Sequence, residues 1–178
     1  MSSATIFPAD ALEGSVKIPA SKPHIQRALL LALLNKRTTK LANITWCTET
    51  KSLLVALLKF GLQVVEEQEN AILLRGVGRD ISVQGEIHAA GSGMLFRICS
   101  ALATLTQDPV RIQCNSSLFS RESIFDDGFS SQLGIHAFRM ENNFIEVRRR
   151  EYTTKIPLDI KKQHPIYFLC FVRKPLSR

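Results

Sequence analysis

Two short stretches of this chain place an arginine a fixed distance beyond a turn of small residues. Ser21, Lys22, Pro23 and Arg27 head the apolar run Ala28 to Leu34, and Gly91, Ser92, Gly93 and Arg97 head the run Ile98 to Leu105. A helix that starts at such a turn offers unpaired backbone N–H groups and the positive end of its dipole. Lys22 adds a charge at that end. An arginine one turn further on can grip a phosphate or carboxylate with two parallel hydrogen bonds. Gly91 and Gly93 let the backbone come close to a ligand. The chemistry these residue types suit is the binding of an anion at a helix start. Either stretch alone reads as a capped helix with surface cations. Their recurrence favours two anion cradles facing one cleft.

The elements that must position these residues are written twice. Residues 15–19 read as a short strand, Ser21 as a helix cap with Pro23 in the first turn, and Leu29, Leu30, Leu33 and Leu34 as an apolar helical face. Thr38 to Ile44 reads as a strand. Thr48, Glu49 and Thr50 open a second helix with Leu53, Leu54, Leu57 and Leu58 on its buried side, and Gly61 ends it. Gln63 to Glu66 and Ala71 to Arg75 are strands about a polar turn. The second copy runs through a strand at 86–89, a helix at 92–105, a strand at 110–114, a helix at 123–132 and two strands to about Arg148. Phe60-Gly61-Leu62-Gln63-Val64 answers Leu133-Gly134-Ile135-His136-Ala137. A duplicated unit of this length is a supersecondary module. The expectation is an α/β fold of β-α-β-α-β-β units: repeat 1 at about 16–78, repeat 2 at about 86–150 and a truncated third at about 155–178, with 1–15 as a separate N-terminal segment. The first helices, 23–35 and 92–105, should be the most buried. A third unit without partner strands should leave an apolar patch around Phe168, Leu169 and Phe171 and promote self-association.

The 178 residues suffice for one good core, and 45% hydrophobic content fits a globular chain. Twenty-three Lys and Arg against 16 Asp and Glu give +7, which suits an anionic partner. Part of that charge crowds the C-terminal end, and aromatics at 7% offer no stacking platform, so nucleic acid is an unfavoured partner. Arg148, Arg149 and Arg150 are the best candidates for nonspecific contact with it. Cys47, Cys99, Cys114 and Cys170 form no Cys-x-x-Cys pair and read as reduced, mostly buried thiols in a cytoplasmic protein. The histidines His24, His88, His136 and His164 have no partner at ligand or triad spacing. Asp126 and Asp127 read as a solvated helix face rather than a metal site. The N-terminus lacks the apolar region of a signal peptide, and no apolar run is long enough to span a bilayer.

The stretch Ala20-Ser21-Lys22-Pro23-His24-Ile25-Gln26-Arg27-Ala28-Leu29-Leu30-Leu31-Ala32 resembles the Ser-Lys-Ser-x-x-x-Arg-Ala-Leu-Leu-x-Ala opening of the EPSP synthases. Ala90-Gly91-Ser92-Gly93-Met94-Leu95-Phe96-Arg97 resembles that family's Gly-Asn-Ser-Gly-Thr-x-x-Arg segment, and Ser116 to Arg121 sits where the family has an arginine-rich stretch. The resemblance runs from about Gly14 to Ile160. It implies two domains, each of three β-α-β-α-β-β units, closing on their ligands. It also implies transfer of the enolpyruvyl group of phosphoenolpyruvate to the hydroxyl of shikimate 3-phosphate, with neither metal nor cofactor. Carried over, Lys22 would touch both substrates, Arg27 would hold shikimate 3-phosphate, and Gly93 and Arg121 would line the phosphoenolpyruvate site.

The chain departs from the pattern at several positions. Pro23 stands in place of the family's second serine and brings neither hydroxyl nor N–H donor. Gly91 and Met94 replace an asparagine and a threonine. Glu49 is the single acid where the family is Asp-rich. The expectation is a chain without the family's second domain: a substrate-binding domain, 16–178, that is inactive alone, with a 1–15 segment that would pair with that second domain. The alternatives are a noncatalytic relic or phosphometabolite-binding module, and a basic nucleic-acid-binding domain.

Overall fold

The computed structural model describes residues 4, 5, 7, 8, 11, 13–121 and 135–149. Helix α1 (Lys22–Leu34) begins where Ser21 stands extended at the N-cap. The Ser21 carbonyl accepts from the amides of His24 and Ile25, while its hydroxyl makes no capping bond. Pro23 fits the first turn because its missing N–H has no intrahelical partner there. Ile25, Leu29, Leu30 and Leu33 recur at helical spacing and are buried. At the other end of α1 the Leu33 carbonyl accepts from the amides of Val77 and Gly78, at 2.9 and 3.1 Å.

Strand β1 (Thr38–Ala42) leads to helix α2 (Thr48–Lys59), whose Leu53, Ala56 and Leu57 enter the core. Helix α2 stops at Gly61, which takes φ +98°. Gly61 and Leu62 then return their amides to the carbonyls of Leu58 and Leu57, the paired bonds of a Schellman turn. Strands β2 (Gln63–Gln68) and β3 (Ala71–Arg75) complete an antiparallel sheet of order β1-β3-β2.

The second half supplies β4 (Ile87–Ala90), helix α3 (Gly93–Ala103), β5 (Val110–Cys114), helix α4 (Ser116–Phe119), β6 (Ile135–Arg139) and β7 (Phe144–Arg149). Its sheet has the order β4-β5-β7-β6, with β4 parallel to β5 and the other pairs antiparallel. Both sheets therefore contain, side by side, the strand after the first helix, the second hairpin strand and the first hairpin strand, and in the second sheet β4 is added outside β5. One core joins the halves, with Leu29, Leu33, Leu53, Leu57, Leu95, Leu102 and Ile112 fully buried. Burying one such side chain contributes roughly 1.5–3 kcal/mol. Of α3, only Gly93, Met94 and Arg97 escape full burial, whereas α1 leaves Leu31 64% exposed, so the expectation that the 23–35 and 92–105 helices are the most buried holds for the second and not for the first.

One local reading changes, and one element is added. Residues 15–19 form no strand: they have no sheet pairing, and Val16 and Ile18 are each 85% exposed. Alternation supplies an apolar face but no partner edge, and β4 shows what the partner adds. There Ile87 and Ala89 alternate in the same way and are buried because β5 lies alongside. The stretch 115–121 becomes the short helix α4, capped by the Asn115 side chain at 2.8 Å from the Leu118 amide. The helix expected at 123–132 and the third copy at 155–178, with its self-association, lie outside the described residues.

Candidate anion-binding site

The turn between β4 and α3 is built for close approach. Ala90 has φ +48° and its carbonyl accepts from the Asn115 amide at 2.7 Å, tying the end of β5 to the turn. A Cβ on Gly91 would sit 2.9 Å from Asn115 Nδ2, so glycine is what lets this side chain in. Ser92 caps α3, its hydroxyl accepting from the Leu95 amide at 3.3 Å. Gly93 is then the first helical residue.

Two guanidiniums converge over Gly93. A Cβ there would lie 3.4 Å from Arg97 Nη1 and 3.9 Å from Arg121 Nη1, with Leu118 Cδ1 at 3.8 Å. Arg97 is half-buried on α3, and Arg121 follows α4. Neither guanidinium has a hydrogen bond or ion pair among the described residues. Like charges repel, so two cations held together at a helix start, where the dipole is also positive, form a place for an anion. The bare face of Gly93 leaves the space between the forks open. The structure thus brings together the expected Gly93 and Arg121 and adds Arg97. The repeat had marked Arg97 as the counterpart of Arg27, but one sequence holds no signal that Arg97 and Arg121 meet.

Lys22, Pro23 and Arg27 form a second group at the start of α1. Lys22 Nζ pairs with Glu49 Oε1 at 3.1 Å, and the Ala20 amide donates to Thr45 Oγ1 at 3.2 Å, so α1 and α2 begin side by side. Glu49 sits in the first turn of α2. Its own backbone amide, and after it Lys22, hold its carboxyl below the ordinary value of 4.5. Both partners are about half exposed, which keeps the pair weak and exchangeable. Pro23 and Arg27 are exposed, and Arg27 has no partner among the described residues. Lys59 near the end of α2 donates to the Glu86 carbonyl just before β4, and α2 residues from Thr48 to Lys59 line a common groove with His88.

Among the described residues there is no cluster of three or more His, Cys, Asp or Glu that could hold a metal, and no helix is long and apolar enough to cross a membrane. Cys47, Cys99 and Cys114 are free thiols. Burial pushes Cys114 up to about 11 and Cys99 higher still, so both stay protonated and unreactive.

The fold is that of known enzymes. An EPSP synthase structure from Acinetobacter baumannii superposes with a TM-score of 0.70 over 88% of this chain and 37% of that one, at 14% identity. In sequence, the 3-phosphoshikimate 1-carboxyvinyltransferase of Vibrio campbellii is 35% identical over 108 residues, which is 59% of this chain and 25% of the relative. That of Chlamydia trachomatis serovar L2 is 29% identical over 133 residues, 69% of this chain and 28% of the relative. The chain thus spans about a quarter of the length of these curated relatives. The pattern that defines EPSP synthase (3-phosphoshikimate 1-carboxyvinyltransferase) matches residues 6–124, a span that holds Lys22, Pro23, Arg27, Gly93, Arg97 and Arg121, and the chain belongs to that family.

Proposed function

We propose that this chain binds the two anionic substrates of carboxyvinyl transfer, shikimate 3-phosphate and phosphoenolpyruvate, as part of aromatic amino acid biosynthesis. The observation that carries the reading is the convergence of Arg97 and Arg121 over Gly93 at the start of α3. Phosphoenolpyruvate carries a carboxylate and a phosphate, and two guanidinium forks beside open backbone match a small polyanion of that kind. Transfer of the enolpyruvyl group to a hydroxyl releases phosphate. Fixed cations stabilise the charge that gathers on that leaving group.

Shikimate 3-phosphate goes to Lys22 and Arg27 in this reading. Lys22 is held by Glu49, so an arriving phosphate competes with an exposed carboxylate for the ammonium. Because such a pair is weak, the exchange costs little. Pro23 contributes the geometry of the turn but no donor, so the start of α1 binds less tightly than one with a serine there. Calorimetric titration of the chain with phosphoenolpyruvate tests the assignment. Arg97→Ala and Arg121→Ala should each weaken binding about tenfold or more, the loss of a hydrogen bond to a charged group. Unchanged affinity in both variants would remove the site.

A further inference from the structure

We propose a second anion site, on the outer side of α2, that takes a small flat-ringed carboxylate or phosphate. A groove of about 550 Å³ lies between α2 and β4, lined among others by Trp46, Lys51, Val55, Ala56, Lys59 and His88. Its volume falls in the roughly 300–1,000 Å³ range of small-molecule sites. Lys51, Val55 and Lys59 are four residues apart, so they form one stripe down α2. Leu53 and Leu57 on the same helix are fully buried, and this stripe lies outside the core.

The stripe has an apolar centre and a cation at each end. Val55 is 56% exposed, and Trp46 is packed only in part against the core. Lys59 donates to the Glu86 carbonyl and so is drawn toward β4. Lys51 is exposed and has no partner among the described residues. Among the described residues no carboxylate lines the groove, and the one acid on α2, Glu49, is paired with Lys22. His88 donates from Nδ1 to the Gln113 side-chain oxygen at 2.6 Å, which leaves Nε2 for a ligand.

An indole and a valine between two ammoniums complement a flat ring that carries an anionic group. The ring lies against Trp46 and Val55, and its charge meets Lys51. None of these residues belongs to the Lys22, Arg27 or Gly93 groups, so the inference stands apart from the proposed function.

Trp46 is the single tryptophan of the chain, so its fluorescence reports this groove directly. The full chain is titrated in phosphate-free buffer with phenyl phosphate, with benzoate and with inorganic phosphate. Both ring-bearing anions should change the emission saturably, and inorganic phosphate should not. Lys51→Glu, at an exposed position, and Val55→Glu, which puts a carboxylate in the centre of the stripe, should each weaken the response about tenfold or more. The Arg27→Ala, Arg97→Ala double variant should leave it unchanged. Three results would overturn the proposal: no saturable change with either ring-bearing anion, a response that neither Lys51→Glu nor Val55→Glu alters, or one that the double variant abolishes.

Discussion

Ala90 carries a left-handed backbone, φ +48°, at the turn that delivers Gly93 to the site. A residue with a Cβ in that region costs about 1–2 kcal/mol that glycine does not. Ala90→Gly should therefore stabilise the fold, by about 1 kcal/mol after the added freedom of the unfolded chain is counted, as read by urea denaturation. A destabilised variant would show that the alanine methyl is needed for packing. Gly93→Ala is the contrasting case. Its Cβ meets the ends of two flexible arginine side chains and, at ordinary contact distance, Leu118, so stability should hold while phosphoenolpyruvate affinity falls. Glu49 gives a pH signature. Its lowered carboxyl means that the pair with Lys22 is complete above the ordinary 4.5 and opens only as pH falls through the lower folded value. A titration of the Glu49 carboxyl by NMR should show a midpoint below 4.5. Lys22→Ala should raise that midpoint only in part, because the backbone amide is the larger cause. A midpoint fully restored by Lys22→Ala would contradict this. The sequence displayed Lys22, Arg27 and Gly93 by their spacing from turns and helix starts, and Arg121 came from the family resemblance alone. It did not display the meeting of Arg97 with Arg121, because that meeting depends on how α4 returns the chain over α3.

At the scale of elements, the joint between α1 and β3 is the tightest in the fold. A Cβ on Gly76 would stand 2.0, 2.4 and 2.5 Å from the carbonyl oxygens of Ala32, Leu33 and Asn35. These are backbone atoms at the end of α1 and cannot step aside singly. Gly76→Ala should cost about 3 kcal/mol or more in denaturant unfolding, at the upper end for overpacking. Gly61→Ala should cost less, about 1 kcal/mol, since it strains one left-handed residue against a side chain, Val77. Equal losses in the two variants would contradict the reading of the joint. The end of α2 was legible because Gly61 follows an apolar helical face directly. The strand expected at 15–19 was not, since alternation says which face is apolar and nothing about the edge that receives it. Helix α4 escaped because Ser116 and Ser117 look like loop. Their helix exists only because Asn115 caps it and Leu118 is buried.

At the scale of the molecule, the fold is a mixed α/β arrangement of two sheets, ordered β1-β3-β2 and β4-β5-β7-β6. That much was legible because the apolar runs and polar turns recur in step. The shared core between the halves was not, since it depends on α2 meeting α3 and β4. The start of α3 follows β4, and Lys22 and Glu49 join the starts of α1 and α2; in the proposed function these helix starts are the cradles for two substrates. The most direct test is a calorimetric titration of the chain with shikimate 3-phosphate, with and without phosphoenolpyruvate, beside the Lys22→Ala, Arg27→Ala double variant. The account predicts saturable binding by the wild type, and a loss of about a hundredfold or more in the double variant. Equal affinity in the two proteins would contradict it and leave only the family resemblance of the fold.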